Sequence, residues 1–475
     1  MRVGVLLAWL GVLGAAPPGA LASSIDEAHS RVRVSSDLAT LDVRACALHA
    51  TVWRLPSGRF RDFVVDLEVG GRTLRSAPRS VETTPPACLA YRFDLARAQR
   101  SERSRNVVRV GDDVLASADA WLFEPRGLAS HEVLFELPQG IEVSAPWLPL
   151  DLERTRYRVG PVSEGSRALV AFGHFRQFRL AAGGAHLDVA MLEGDPPARA
   201  GDVATWVGAA ARQVLLAYGE FPVPRAQILI VPVRGAWPSR RRWAGDEAVP
   251  FARVMRNGGP AVQFFVDQTA AVEEYLEDWT ATHEFSHLLL PYVGRSDAWL
   301  SEGFATYYQN VLMARAGVLD ERTAWQKLYD GFERGRRERY SDTLAESIRE
   351  RGDNMIMRMY WSGAAIALMA DVTLRRPTTD AGGSLDTVME AVRTCCLASG
   401  HTWSGRELFD QLDMLAGRKV FAPLYARWVP STEFPAVDGV LEELGVRARR
   451  GRVTLDDAAP LAGVRRAIMA PRSGN

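Results

Sequence analysis

Apolar and polar positions alternate in short runs over the first third of the chain. Arg61 to Val69 alternates and stops at Gly70-Gly71, Val107 to Val110 stops at Gly111, and Glu132 to Leu137 stops at Pro138. A period of two between turn residues predicts strands, and a series of them predicts a β-sandwich over residues 23–182. Past Ala182-Gly183-Gly184 the texture changes. His186 to Leu192 reads as one more strand. Gly201 to Tyr218 reads as a helix with Val203, Trp206, Val207, Ala210, Val214 and Leu215 at helical spacing. The apolar runs Ile228 to Val233 and Ala261 to Val266 read as buried strands. A helix is predicted from Val272 to Leu290, stopped by Pro291 and Gly294, and a second from Ser296 to about Ala316. The pattern then stays mainly helical to about Leu415, and residues 451–475 have little periodicity and read as a loosely attached tail. The fold class is therefore α+β.

Composition narrows the picture. The chain has 475 residues, enough for several domains, and its Lys plus Arg and Asp plus Glu number 57 each. That balance gives no reason to expect nucleic acid or an anionic membrane surface as a partner. Arg240-Arg241-Arg242 and Arg336-Arg337-Glu338-Arg339 read as solvated faces. Arg2, the apolar stretch Val3 to Ala16 and Ala20-Leu21-Ala22 have the layout of a signal peptide over residues 1–22, which points to the periplasm or the extracellular space. No later window is long and apolar enough to span a bilayer. In an oxidising compartment Cys46 and Cys88 are the expected disulfide, whereas the adjacent Cys395 and Cys396 read as buried or free thiols. His29, His49, His131, His174 and His186 are scattered and read as surface or core polar residues.

One constellation carries chemistry. His283-Glu284-Phe285-Ser286-His287 has the His-Glu-x-x-His spacing inside a helical window. Residues four apart on a helix are about 40° apart around the axis, so the two imidazoles share one face, as two nitrogen ligands of one zinc ion require. Glu284 lies about 100° round from His283, placed to take a proton from water as general base rather than to ligate. Zinc needs a third protein ligand. Glu302, on the following helix, is the candidate; Asp297 competes, but carboxylates at a helix start also occur for capping reasons.

Trp299-Leu300-Ser301-Glu302-Gly303-Phe304-Ala305-Thr306-Tyr307-Tyr308 resembles the third-ligand helix of the gluzincins, the thermolysin-fold peptidases that include aminopeptidase N and the bacterial glycyl aminopeptidases. The glycyl aminopeptidases are the closer match. Tyr360-Trp361-Ser362-Gly363 and the helix after it are similar to their Tyr-x-Lys-Gly segment, with Ser362 where the pattern has Lys. Phe172-Gly173-His174-Phe175 and Tyr218-Gly219-Glu220-Phe221-Pro222 match on the N-terminal side, and Phe421 to Gly445 resembles the closing segment, so the likeness spans roughly residues 165–446. It implies one zinc per chain on His283, His287 and Glu302, Glu284 as base, and Tyr360 as hydrogen-bond donor to the oxyanion. Tyr307, Tyr308 and Tyr340 are rivals for the last role. It also implies a thermolysin-like metal-binding part over 183–315 and a helical part over 316–450.

The chain departs from the family in three ways. The connection Leu288 to Ser301 is shorter than usual. In the Gly-rich stretch Gly258-Gly259-Pro260-Ala261, Ala261 stands where the exopeptidases carry a glutamate for the substrate's free amine, leaving Glu273, Glu274 or Asp267 to substitute. Only about thirty residues follow Gly445, too few for the PDZ domain with which that family usually ends. The expected function is an exported zinc metallopeptidase acting on peptide or protein substrates, aminopeptidase-like or a restricted endopeptidase. The alternative is a non-catalytic zinc-containing scaffold or peptide-binding protein of the cell envelope.

Overall fold

The computed structural model describes residues 28–471 apart from 56, 102–105, 129, 161–168, 234–246, 257, 339–340, 347–355, 377–382 and 398–400. The expected signal segment 1–22, Arg240 to Arg242, Arg339 and Tyr340 therefore lie outside the described residues.

The N-terminal region is β-rich, as the alternation predicts. Strand Ala28–Val34 buries every second residue, pairs antiparallel with Thr40–Ala47 and parallel with His131–Glu136, and sits in an eight-stranded sheet. Three- and four-stranded sheets accompany it. Aromatic rings fill the core, where Phe135 touches Trp121, Trp147, Tyr157 and Phe172. A disulfide links Cys46 to Cys88, as expected. Cys395 and Cys396 are also bonded, to each other, which corrects the reading of them as thiols. Both terminate the helix Leu385–Cys395, and the irregular backbone at that end brings the two sulfurs together.

A five-stranded sheet forms the base of the second unit. Its order is Arg176–Ala182, Ala185–Met191, Arg225–Pro232, Ala261–Val266, Phe251–Met255. Gly183 and Gly184, both at positive φ, are a hairpin turn inside this sheet and not a linker. The domain boundary thus falls near residue 175, ahead of the predicted 182. The strands around Arg225–Pro232 pair in parallel, whereas Phe251–Met255 runs antiparallel to Ala261–Val266 and is the edge strand of the sheet among the described residues. Helix Ala200–Leu215 covers one face and buries Val203, Trp206, Val207, Ala210 and Val214.

The helix predicted from Val272 to Leu290 is three pieces: Val272–Glu277, Thr280–Ser286 and a 3-10 turn His287–Leu289. The break is at Asp278, whose carboxylate accepts the Thr280 amide at 2.7 Å and so starts a new helix. The next helix, Ala298–Arg315, packs against the long helix Ile356–Arg375. At their crossing a Cβ on Gly303 would stand 2.2 Å from the Cα of Gly363, and one on Gly363 would stand 2.0 Å from the Trp299 carbonyl. The two backbones are in contact, and only glycine permits it.

The C-terminal tail is packed, against expectation. It forms a hairpin, Val446–Arg449 with Arg452–Leu455, and a helix, Ala462–Met469. Ile468 is buried and its carbonyl accepts Arg315 Nε at 2.9 Å. Each piece is too short for its apolar positions to show a period.

Gly363→Ala should lower unfolding stability by about 1–3 kcal/mol through overpacking, read by urea denaturation. A wild-type midpoint would contradict the glycine contact.

Candidate metal centre

The break at Asp278 sets the phase of Thr280–Ser286, and every residue of that short helix is buried. His287 opens the following 3-10 turn, but its amide still donates to the His283 carbonyl, so the two histidines keep α-helical phase. Their rings lie 4.8 Å apart, edge to face. Glu302 reaches them from the second turn of Ala298–Arg315. Its Oε2 is 3.3 Å from both His283 Nε2 and His287 Nε2.

These distances test the site for zinc. Ligand atoms about 2.0–2.1 Å from a tetrahedral ion stand about 3.3 Å from one another. The outer partners agree. His283 Nδ1 is 3.1 Å from Gln309 Oε1, which can only accept, so Nδ1 carries the proton and Nε2 turns a lone pair toward Glu302. His287 Nδ1 is 2.9 Å from Ser301 Oγ, which holds the second ring in the same sense. Such partners fix tautomer and orientation in metal sites. The donor set fits zinc. Among the described residues, His283, His287 and Glu302 form the one group of three or more His, Cys, Asp or Glu ligand atoms close enough to hold an ion.

Charge is distributed to suit this. Burial pushes Glu302 up, but the two imidazoles outweigh it and hold the carboxyl well below the usual carboxylate range. Without an ion, burial works against charge on His283, yet the protonated ring can also donate from Nε2 to Glu302, and this with the nearby carboxylates prevails and raises it. Glu284 is raised chiefly by burial, against the pull of both histidines. Its carboxylate accepts the backbone amide of Val254, which places the base against the edge strand Phe251–Met255.

The Tyr360 ring lies 5.8 Å from that of His283 and nearly parallel to it, at 11°. Tyr307 and Tyr308 are buried, and their hydroxyls are taken up by Asp371 at 2.6 Å and Asp386 at 3.2 Å. Asp297 does not join the ligands; its carboxylate lies against Gly405, where a Cβ would stand 2.6 Å from Oδ1. Trp279, 45 % exposed, stands edge-on to His283 at 5.5 Å.

The profile of the M61 glycyl aminopeptidase family matches residues 292–365, a stretch that holds both Glu302 and Tyr360. No curated protein matches the chain. Solved structures share its fold. An aminopeptidase N family protein from Idiomarina loihiensis superposes with TM-score 0.64 at 14% identity, covering 88% of this chain and 78% of that one. The M1 zinc metallopeptidase from Deinococcus radiodurans superposes with TM-score 0.52 at 15% identity, covering 86% and 93%. A variant of it bound to a Tyr-Ser-Ala substrate gives 0.54 at 16%, covering 86% and 94%. The chain is thus similar in fold to these zinc metallopeptidases and, over residues 292–365, to the glycyl aminopeptidases. The profile match makes it a peptidase by type.

Two parts of this site escaped the sequence reading. Ser301 and Gln309 carried little signal: Gln309, seven after Glu302, shares its helix face, whereas Ser301, one before it, lies about 100° round the axis. The position of Ala261 is corrected as well. It lies on the inner strand Ala261–Val266, fully buried, and not on the strand that flanks the metal ligands. That strand is Phe251–Met255, whose sequence Phe-Ala-Arg-Val-Met contains no carboxylate. Two of the three proposed substitutes are engaged elsewhere. Glu274 caps the Ala271 amide at 2.9 Å, Asp267 accepts from Thr269, and Glu273 is exposed on the first turn of Val272–Glu277.

Ser301→Ala and Gln309→Ala should each weaken zinc binding about 10–100-fold, measured by competition with a chromophoric chelator. Unchanged affinity in both would contradict the outer-partner reading.

Proposed function

We propose that the protein is an exported peptidase that hydrolyses peptide bonds with one zinc per chain on His283, His287 and Glu302. The observation that carries this is the convergence of three ligand atoms, a buried Glu284 and Tyr360 beside the edge strand of the sheet. Zinc, when bound, polarises the scissile carbonyl and lowers the pKa of a water toward about 7.

The chain supplies the rest. Among the described residues Phe251–Met255 pairs only with Ala261–Val266, and the backbone of its outer edge is where an extended peptide can pair as an added strand. Glu284 sits against that edge, so its carboxylate meets the substrate backbone where the bond is cut. It takes a proton from the attacking water and delivers it to the departing amine. Burial raises its proton affinity, which favours that uptake. The Tyr360 hydroxyl donates to the carbonyl oxygen as it gains negative charge. A scaffold would need neither a buried base nor a tyrosine stacked on a ligand.

Restricted endopeptidase action is favoured over removal of N-terminal residues, because the edge strand has no carboxylate to receive an ammonium. The signal-like segment 1–22 and the Cys46–Cys88 disulfide support export to an oxidising compartment.

Glu284→Gln should lower kcat by about 10²–10⁴-fold with zinc content unchanged, and Tyr360→Phe by about 10²–10³-fold. Peptide turnover by purified Glu284→Gln at the wild-type rate would refute the mechanism.

A further inference from the structure

The edge strand carries the opposite charge to that needed for a free amine. Side chains alternate along it. Phe251 and Arg253 face Phe265 and Gln263, on the side away from the ligand helix. Ala252 and Val254 face the core that contains Phe285, and Arg256, just past the strand end, continues on that side. Its Nη1 donates to the carbonyl of Leu290, directly after the turn that contains His287.

The other end of this guanidinium is unaccounted for. Arg256 Nη2 is buried and has no hydrogen-bond partner. Among the described residues no carboxylate pairs with Arg256, and the ionisable neighbour that acts on it is the Tyr292 hydroxyl. Tyr292 is 41 % exposed, on the connection between the ligand helices. Burial lowers the arginine to about 9, so it stays charged at neutral pH. A buried cation without a counter-charge destabilises a fold, and such groups persist where an anion visits.

The location fits a substrate group. Val254 touches the base, and Arg256 follows it by two residues, about 7 Å along extended backbone. The turn that bears it is fixed. The Arg256 carbonyl accepts the Gly259 amide at 3.1 Å. Gly259, at φ +130, is pressed on the N-terminal region so closely that a Cβ would stand 2.2 Å from the Pro146 carbonyl.

We propose that Arg256 is a specificity residue that receives a carboxylate of the peptide substrate one or two residues from the bond being cut. The carboxylate is an acidic side chain or a free C-terminus; both offer the planar pair of oxygens that a guanidinium matches. This inference rests on the peptidase reading above.

The test uses zinc-loaded full-length protein and fluorogenic alanine-rich peptides. Asp is moved through each position in one series, and in a second the C-terminus is free or amidated. Wild type should cleave its best carboxylate-bearing peptide at least tenfold more efficiently, in kcat/KM, than the neutral parent. In Arg256→Gln and Arg256→Met that ratio should fall toward one, with Arg256→Lys between. The ratio is read whatever the absolute rates, and Arg256→Met should melt no lower than wild type, since an unpaired buried charge is removed. No preference in wild type, or a preference that survives both variants, overturns the proposal. If wild type cleaves no peptide, the peptidase reading fails on its own. Calorimetry with the same peptides then decides the fate of Arg256. Tighter binding of the acidic peptide to Glu284→Gln, lost in Glu284→Gln/Arg256→Gln, upholds the proposal, and equal binding overturns it.

Discussion

The contact of Gly303 with Gly363 is the constraint on which the site depends. Gly303 follows Glu302, and Gly363 lies three residues after Tyr360. A methyl group on either would meet backbone at 2.2 Å or less. Backbone-to-backbone approach of these helices is what allows a carboxylate on one to reach both histidines and a phenol on the other to lie over His283. The helices are held from further along by a buried polar cluster. Arg315 and Arg375 both bond Asp386, Arg375 also bonds Asp371, and Tyr307 and Tyr308 bond the two carboxylates. Fully paired, such a cluster fixes one arrangement; with one member removed it would leave a buried charge unmatched.

The start of the tyrosine-bearing helix is anchored in the same spirit. Arg358 is buried and donates to the carbonyls of Asp342 and Thr432. Trp361 lies over Gly331, where a Cβ would stand 2.1 Å from its ring. The glycines on three helices thus serve one end, which is to bring aromatic and backbone surfaces close enough to fix Tyr360 over His283.

Much of this was legible in the sequence, and the illegible parts share a cause. Periodicity located the β-rich region, the buried strands and the helices, because burial on one face repeats every two or 3.6 residues. Spacing located His283 and His287, and a likeness located Glu302 and Tyr360. What failed depends on contacts between distant residues. The helix break at Asp278 leaves the apolar pattern intact, since the carboxylate interrupts the backbone without moving a core residue. Gly183-Gly184 marked the predicted domain boundary and is a hairpin turn, a choice made by the pairing of the strands on either side of it. Ala261 was assigned to the substrate strand because strand order is invisible in one dimension. The inner strand follows the edge strand in sequence and lies between it and Arg225–Pro232.

The central claim is that three ligand atoms brought together by two helices hold one zinc and that hydrolysis depends on it. The most direct measurement is a titration of chelator-stripped protein with zinc, following metal bound and peptide hydrolysed in the same samples. The account predicts that hydrolysis is absent at the start, rises linearly and saturates at one zinc per chain. Hydrolysis that persists in the stripped protein, or that never appears once one zinc is bound, would contradict it.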